Sequence, residues 1–341
     1  MKCPCGIRGV ALWTLVLAAS CAHQPPRAPV REEPVAWPAP PDRPRVRLAG
    51  ILPRAGVQGR GPSTWRRLLD AVLGIDRAAS EGALLARPFG VAAGPNREIY
   101  VADPDGPLVA RVDSEPAAPI ECRDRPWVAP MAVAIGRDGA VYVADAGAHA
   151  IVEVAADGRC RALGEEQLVR PTGIALSGDR VYVVDPPSHR VVVFSMAGEV
   201  LARIGERGEA AGQLNYPTAV SIAPDGSLLV VDALNFRVVR FSADGAWLGA
   251  FGVPGDAEGA FTRPKCVTAD AGGRIYVTDA QRDVVLVFLG DGTFEYAIGA
   301  PGGEPGRFTA PAGVAVTGDR LHVADSYNRR VQVFEILGGT T

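Results

Sequence analysis

Lysine is almost missing from these 341 residues: of 35 basic side chains only Lys2 and Lys265 are lysines. No basic excess exists either, since the formal charge is −3 and becomes −5 once Lys2 and Arg8 are discounted with the leader described below. That balance excludes the positive stripe a nucleic-acid partner would need. No Gly-x-Ser-x-Gly elbow and no phosphate-cradling glycine loop occurs, which removes two common routes to hydrolase or nucleotide chemistry. Histidine is limited to four residues, so a histidine-rich metal site has little to draw on. What is present, 48% hydrophobic and 21% charged residues, is enough for one large core and speaks against disorder throughout.

The one long apolar run, Val10 to Ala19, follows Lys2 and Arg8 and is too short to be a durable membrane span. Residues 1–20 therefore read as a secretory leader. Its end, Leu17-Ala-Ala-Ser-Cys21, resembles a bacterial lipobox, with Ala18 where that motif usually has leucine. The resemblance implies acylation of Cys21, export and a lipid anchor. Ala22, where an aspartate would retain such a protein at the inner membrane, implies the outer membrane. Residues 21–44 carry eight prolines and are expected to form an extended tether of roughly 70 Å rather than to join a sheet. Of the remaining cysteines, Cys122 and Cys160 are open to a disulfide in an oxidising compartment, a pairing the spacing allows without requiring it.

Internal repetition dominates the rest. Six short apolar runs end in aspartate, Ile99-Tyr-Val-Ala-Asp103 and its counterparts ending at Asp145, Asp185, Asp232, Asp279 and Asp325, spaced 42, 40, 47, 47 and 46 residues apart. Each is preceded by a proline-led strand and a Gly/Asp turn, and followed by a β-branched run such as Arg190-Val-Val-Val-Phe194. Most units add a fourth strand closing on glycine, as at Gly205. Four short strands per unit describe an antiparallel blade. The second strands are apolar nearly throughout, so both their faces must be covered by neighbours. Units of that kind stack, and radial stacking gives a propeller.

The Pro-x-Gly-Val-Ala, Asp-Gly, Ile-Tyr-Val-Ala-Asp and Asn-x-Arg-Val-x-x-Phe elements resemble NHL repeats over Val46 to Phe334, about 85% of the chain, and are best kept around Asn235, Arg237 and Phe241 and around Asn328, Arg330 and Phe334. The expected fold is all-β, a six-bladed propeller over residues 45–337, with a helical insertion at 53–86. Arg45-Val-Arg-Leu-Ala-Gly50 is expected to supply the fourth strand that the sixth repeat lacks and so to close the ring. A monomeric propeller follows.

In such a fold the turns after the second strands and the inter-blade connections share one face, the top. Residues after the blade-opening prolines, Phe89, Met131, Thr172, Thr218, Lys265 and Ala312, should ring the channel mouth there. Zinc-dependent amidating lyases with an NHL-like propeller have histidines on the channel side, and these positions have none. The post-aspartate loops add His149, His189 and Arg190 as candidate ligand or partner contacts. A shared metal at the two histidines would need inward side chains and a third ligand, so no metal and no cofactor is expected. His322 takes the place of a core tyrosine and should be packed.

Lys265 and Cys266 break the ring's symmetry and offer a cationic, thiol-bearing spot for a small anion. The six aspartates recur in every unit, and what recurs serves the fold, by accepting loop N–H groups or pairing with the arginine five residues on. Within the insertion, Ser63 can cap a helix with Trp65, Leu68, Leu69 and Val72 on one side, either lying over the channel or presenting Trp65 to a partner. The reading is a non-catalytic envelope lipoprotein that holds an envelope protein or a small ligand on its top face, with no nucleic-acid partner. The alternative is a hydrolase or lyase acting at the channel mouth.

Overall fold

The computed structural model describes residues 35–53 and 84–338. The expected leader, the acylated Cys21, the first part of the tether and the helix carrying Trp65 and Leu68 lie outside the described residues.

Six antiparallel sheets make six blades. The first contains β3 (Gly90–Ala93), β4 (Ile99–Asp103), β5 (Leu108–Arg111) and β6 (Ala118–Pro119); the second β7 (Pro130–Ile135), β8 (Val141–Asp145), β9 (Ala150–Val154) and β10 (Cys160–Leu163). The third runs β11 (Gly173–Ser177), β12 (Arg180–Asp185), β13 (Arg190–Ser195) and β14 (Val200–Ile204). In the fourth are β15 (Pro217–Ile222), β16 (Leu228–Asp232), β17 (Arg237–Phe241) and β18 (Trp247–Phe251), and in the fifth β19 (Pro264–Ala269), β20 (Ile275–Asp279), β21 (Val284–Phe288) and β22 (Phe294–Ile298). The sixth has β23 (Pro311–Thr317), β24 (Arg320–Asp325) and β25 (Arg330–Ile336) from the C-terminal end, and β2 (Val46–Leu52) as its fourth strand.

That fourth strand closes the ring as the sequence implies, pairing Val46 with Ile336 and Leu52 with Val331. An Arg47–Glu335 ion pair lies across the seam. Not all of residues 35–44, expected within the tether, stay out of the sheet. Ala36–Trp37 forms β1 and adds a fifth strand by pairing with Arg47 and Val46. The reason is Trp37, whose indole meets the Phe334 ring edge-on at 5.6 Å, enough apolar contact to hold a two-residue strand between prolines.

Why the second strands are apolar on both faces is visible in the packing. Six apolar clusters among the described residues each sit between two adjacent blades. Along β16, Leu228 and Val230 enter the cluster shared with blade three, while Leu229 and Val231 enter the one shared with blade five. A strand alternates sides residue by residue, and in a propeller both sides are interior.

Inner strands approach closely enough to dictate the Pro-x-Gly element. A Cβ on Gly90 would lie 2.6 Å from the Met131 carbonyl oxygen, and one on Gly313 2.5 Å from that of Phe89. Equivalent places in blades two, four and five hold Ala132, Ala219 and Cys266, so Cys266 occupies a small-residue position of the inner ring.

Connections into blades four, five and six share one design: twelve residues from Gly205 to Tyr216, Gly252 to Arg263 and Gly299 to Ala310, each folded on a short parallel bridge. Leu214, Phe261 and Phe308 from these loops are fully buried, each contributing about 1.5–3 kcal/mol by leaving water.

Candidate functional site

Each blade aspartate is at most 1% exposed and accepts hydrogen bonds from the loops of the top face. Two designs recur. Asp103, Asp145 and Asp279 are held by backbone N–H groups, as when Asp145 accepts from Val128, Ala129, Gly147 and Ala148 at 2.8–3.1 Å. Asp232 and Asp325 take side-chain donors, with Arg237 Nε at 2.8 Å and Arg330 Nε at 2.7 Å. Burial nonetheless raises the Asp232 pKa above the ordinary carboxylate value, opposed by the Asn215 N–H and by Arg237. Every carboxylate is thus engaged in joining an inter-blade loop to a post-aspartate turn.

Asp185 departs from both designs. It accepts from the backbone of Val169 and Arg170 and from the Ser188 hydroxyl, and its expected partner Arg190 does not bond to it. Arg190 Nε is buried with no partner among the described residues. Arg237 and Arg330 reach additional carbonyls, those of Glu209, Ala210 and Gln213 and those of Glu304 and Arg307, in the twelve-residue loops. The connection before blade three, Gly164 to Pro171, is too short to supply them.

His149 and His189 are not brought together. Both occupy the fourth position after a blade aspartate, a left-handed residue with φ of 55° and 54°. From there each side chain reaches the loop of the following blade: His149 Nδ1 lies 2.5 Å from the Val169 carbonyl, to which it donates, and His189 Nδ1 accepts from the Tyr216 N–H at 3.1 Å. In blade five Asp283 does the same work, accepting from the Ala310 N–H at 2.6 Å. The set is a series of staples between blades, and the repeated place four residues past the aspartate is the signal by which the sequence could have shown it.

The central channel is lined by the inner strands and has a volume of about 360 Å³. Phe89, Met131, Thr172, Thr218 and Lys265 line it as expected from their place after the prolines, but Ala312 is 3% exposed and lies behind the wall. Hydroxyls at the mouth already serve the ring: Thr172 donates to the Thr218 carbonyl at 3.0 Å, and Thr218 to that of Lys265 at 2.9 Å.

Lys265 is half-buried, and its pKa is lowered by burial first and then by the neighbouring positive charges of Arg263 and Arg87. Sequence reasoning did not single out these two arginines, although both directly precede a blade-opening proline. Arg87 is held by Asp105 and lies 5.8 Å over the Tyr327 ring. Cys266 is no activated thiol: burial raises its pKa, and its Sγ rests 3.9 Å from the Val314 carbonyl in the inter-blade packing. Cys122 and Cys160 form a disulfide that joins blades one and two, with their Cα atoms 5.8 Å apart.

Exposed apolar side chains collect on the same face. Val128, Val169, Leu234 and Tyr327 are 52–62% exposed, the first two at the approach to an inner strand and the others in post-aspartate turns.

Comparison with known proteins agrees with this architecture. Residues 265–340 match a family described as a six-bladed beta-propeller, and residues 168–194 match the NHL repeat. A stretch of 65 residues is 40% identical to the human E3 ubiquitin-protein ligase NHLRC1, covering 18% of this chain and 16% of that protein, so the match spans about a sixth of that relative's length. Among solved structures, virginiamycin B lyase from Staphylococcus aureus superposes with a TM-score of 0.54 at 13% identity, over 74% of this chain and 96% of that one. A protein of unknown function from Bacteroides thetaiotaomicron gives 0.60 at 18% identity, over 74% and 71%. An auxiliary nutrient binding protein from the same organism gives 0.59 at 11% identity, over 74% and 69%. At such identities the likeness is one of fold.

Proposed function

We propose that this six-bladed, NHL-type propeller is a non-catalytic envelope lipoprotein, anchored through an acylated Cys21, whose top face and 53–86 segment hold an envelope protein or a small ligand. The observation that carries the reading is the composition of the channel mouth. General acid–base chemistry calls on two titratable groups within reach of one substrate; the described lining supplies Lys265 and Cys266, and burial raises the pKa of the thiol, which leaves Lys265 as its one charged group. Apolar side chains exposed on loops of the top face, Val128, Val169, Leu234 and Tyr327, favour contact over chemistry. Fold neighbours include both a nutrient-binding protein and a lyase, so the propeller alone does not choose between binding and catalysis at the mouth.

Cross-linking the native protein in its own envelope tests the reading. A recurrent captured partner, lost in Trp65→Ala or Leu68→Ala while the fold is intact, is the expected outcome; capture unchanged by either substitution removes the 53–86 segment from the proposal. Turnover of a small substrate at the mouth, abolished in Lys265→Met, would replace binding by catalysis. For the anchor, Cys21→Ser is expected to move the protein from the membrane fraction to the soluble one, and continued retention would refute lipidation.

A further inference from the structure

We infer that the channel mouth is a site for a small carboxylate-bearing molecule, its anionic end on the Lys265 ammonium and its apolar body in the channel. The inference rests on the small-ligand form of the binding reading above and names the ligand's chemistry.

Size and lining come first. A volume of about 360 Å³ lies at the lower end of the roughly 300–1,000 Å³ of small-molecule sites. Its wall is built mostly from glycine, alanine and aliphatic residues of the inner strands, interrupted by the hydroxyls of Thr172, Thr218, Ser221 and Thr268, with Phe89 and Met131 at the mouth. Lys265 is the single charged residue among those that line it. An apolar body is accommodated by that wall, and a charged end has one place to go.

Charge compensation comes second. Half-buried though it is, the Lys265 ammonium has no hydrogen bond or ion pair among the described residues, whereas Arg87 beside it is ion-paired with Asp105. A cation withdrawn from water without a partner is costly, and further positive charge nearby adds to that cost. An entering carboxylate supplies the missing counter-charge through a charge-assisted hydrogen bond. The Thr172 and Thr218 hydroxyls are already donating to backbone carbonyls, so among the residues lining this end the lysine is the free charged donor. One ammonium matches a monoanion; a phosphate dianion calls for more donors or for the fork of an arginine, and neither Arg87 nor Arg263 is among the residues that line the channel.

Near-absence of lysine makes the site directly observable. Reductive 13C-dimethylation keeps the positive charge and labels Lys265, Lys2 where it is present, and the terminal amine; the Lys265→Met variant assigns the signal. The methylated protein is titrated with hexanoate and benzoate, with hexanamide and benzamide as neutral counterparts and with inorganic phosphate as the competing anion. A saturable shift of the Lys265 signal by the carboxylates, accompanied by a rise in its pKa, is the expected result. Affinity should fall as pH rises through that pKa, and about tenfold or more in Lys265→Met, the scale of a hydrogen bond to a charged group. Lys265→Arg, checked for an unchanged melting transition, should retain binding and shows that loss in the methionine variant is a loss of charge.

Equal binding of amides and carboxylates would overturn the inference while leaving a neutral small-ligand site in place. A response to phosphate alone would overturn it in favour of an inorganic anion, and the absence of any saturable shift would overturn it outright. None of these results depends on whether a protein partner is captured through Trp65.

Discussion

Lowering the pH from 7 to 5 should cost this protein about 2 kcal/mol of stability through one residue, His322. It stands in β24 where β8, β12 and β20 have the buried tyrosines Tyr142, Tyr182 and Tyr276, and it is 4% exposed. Its Nδ1 has no hydrogen-bond partner among the described residues. Burial pushes its pKa from 6.5 down to about 4; a backbone contact at Ala315 and the charge of Asp113 oppose the shift, and Arg320 adds to it. An unfolded chain therefore takes up a proton near pH 6.5 that the folded one refuses until about pH 4, and stability falls as pH falls through that window. Linkage over these two values gives a loss of about 2 kcal/mol between pH 7 and 5, approaching about 3 kcal/mol at pH 4. The assay is urea denaturation of the native protein and of His322→Phe at a series of pH values and constant ionic strength. Subtracting one stability curve from the other removes every other titrating group. A difference that grows by about 2 kcal/mol across the window supports a neutral, packed histidine; parallel curves would show that His322 titrates normally and that water or a partner reaches it.

Two further perturbations follow from the top-face network. Asp325→Ala takes away the acceptor for Thr309 N–H, Asn328, Arg330 Nε and Gln332 Nε2 and strands a mostly buried guanidinium, so a loss of about 3–5 kcal/mol is expected in chemical denaturation. A loss below about 1 kcal/mol would mean that the blade aspartates do not bind the loops together. Cys122→Ser removes a cross-link between residues 38 apart and should lower stability by about 4 kcal/mol on the loop-entropy model, an effect that reduction of the native protein by dithiothreitol must reproduce.

Much of this molecule is local in origin and therefore legible in the chain. Strand length, Gly/Asp turns and the aspartate ending each second strand are set by neighbours in sequence, and their sixfold return implies stacking, since apolar strands with two buried faces have no other solution. Even ring closure by Val46–Leu52 follows from counting strands. The roles of individual side chains were decided by what the ring brings alongside. His149 and His189 look like a candidate pair until their left-handed positions turn each toward the loop of the next blade. Arg190 keeps the spacing of Arg237 and Arg330 but faces a shorter loop, so it lacks the carbonyls that complete its equivalents. Lys265 acquires its character from Arg87 and Arg263 and from a channel with no carboxylate in its described lining, and Ala36–Trp37 joins the sheet because Phe334 is within reach. Periodicity is a property of the strand and survives in one dimension. The environment of a charge is a sum over neighbours far apart in the chain, and only the closed ring specifies who they are.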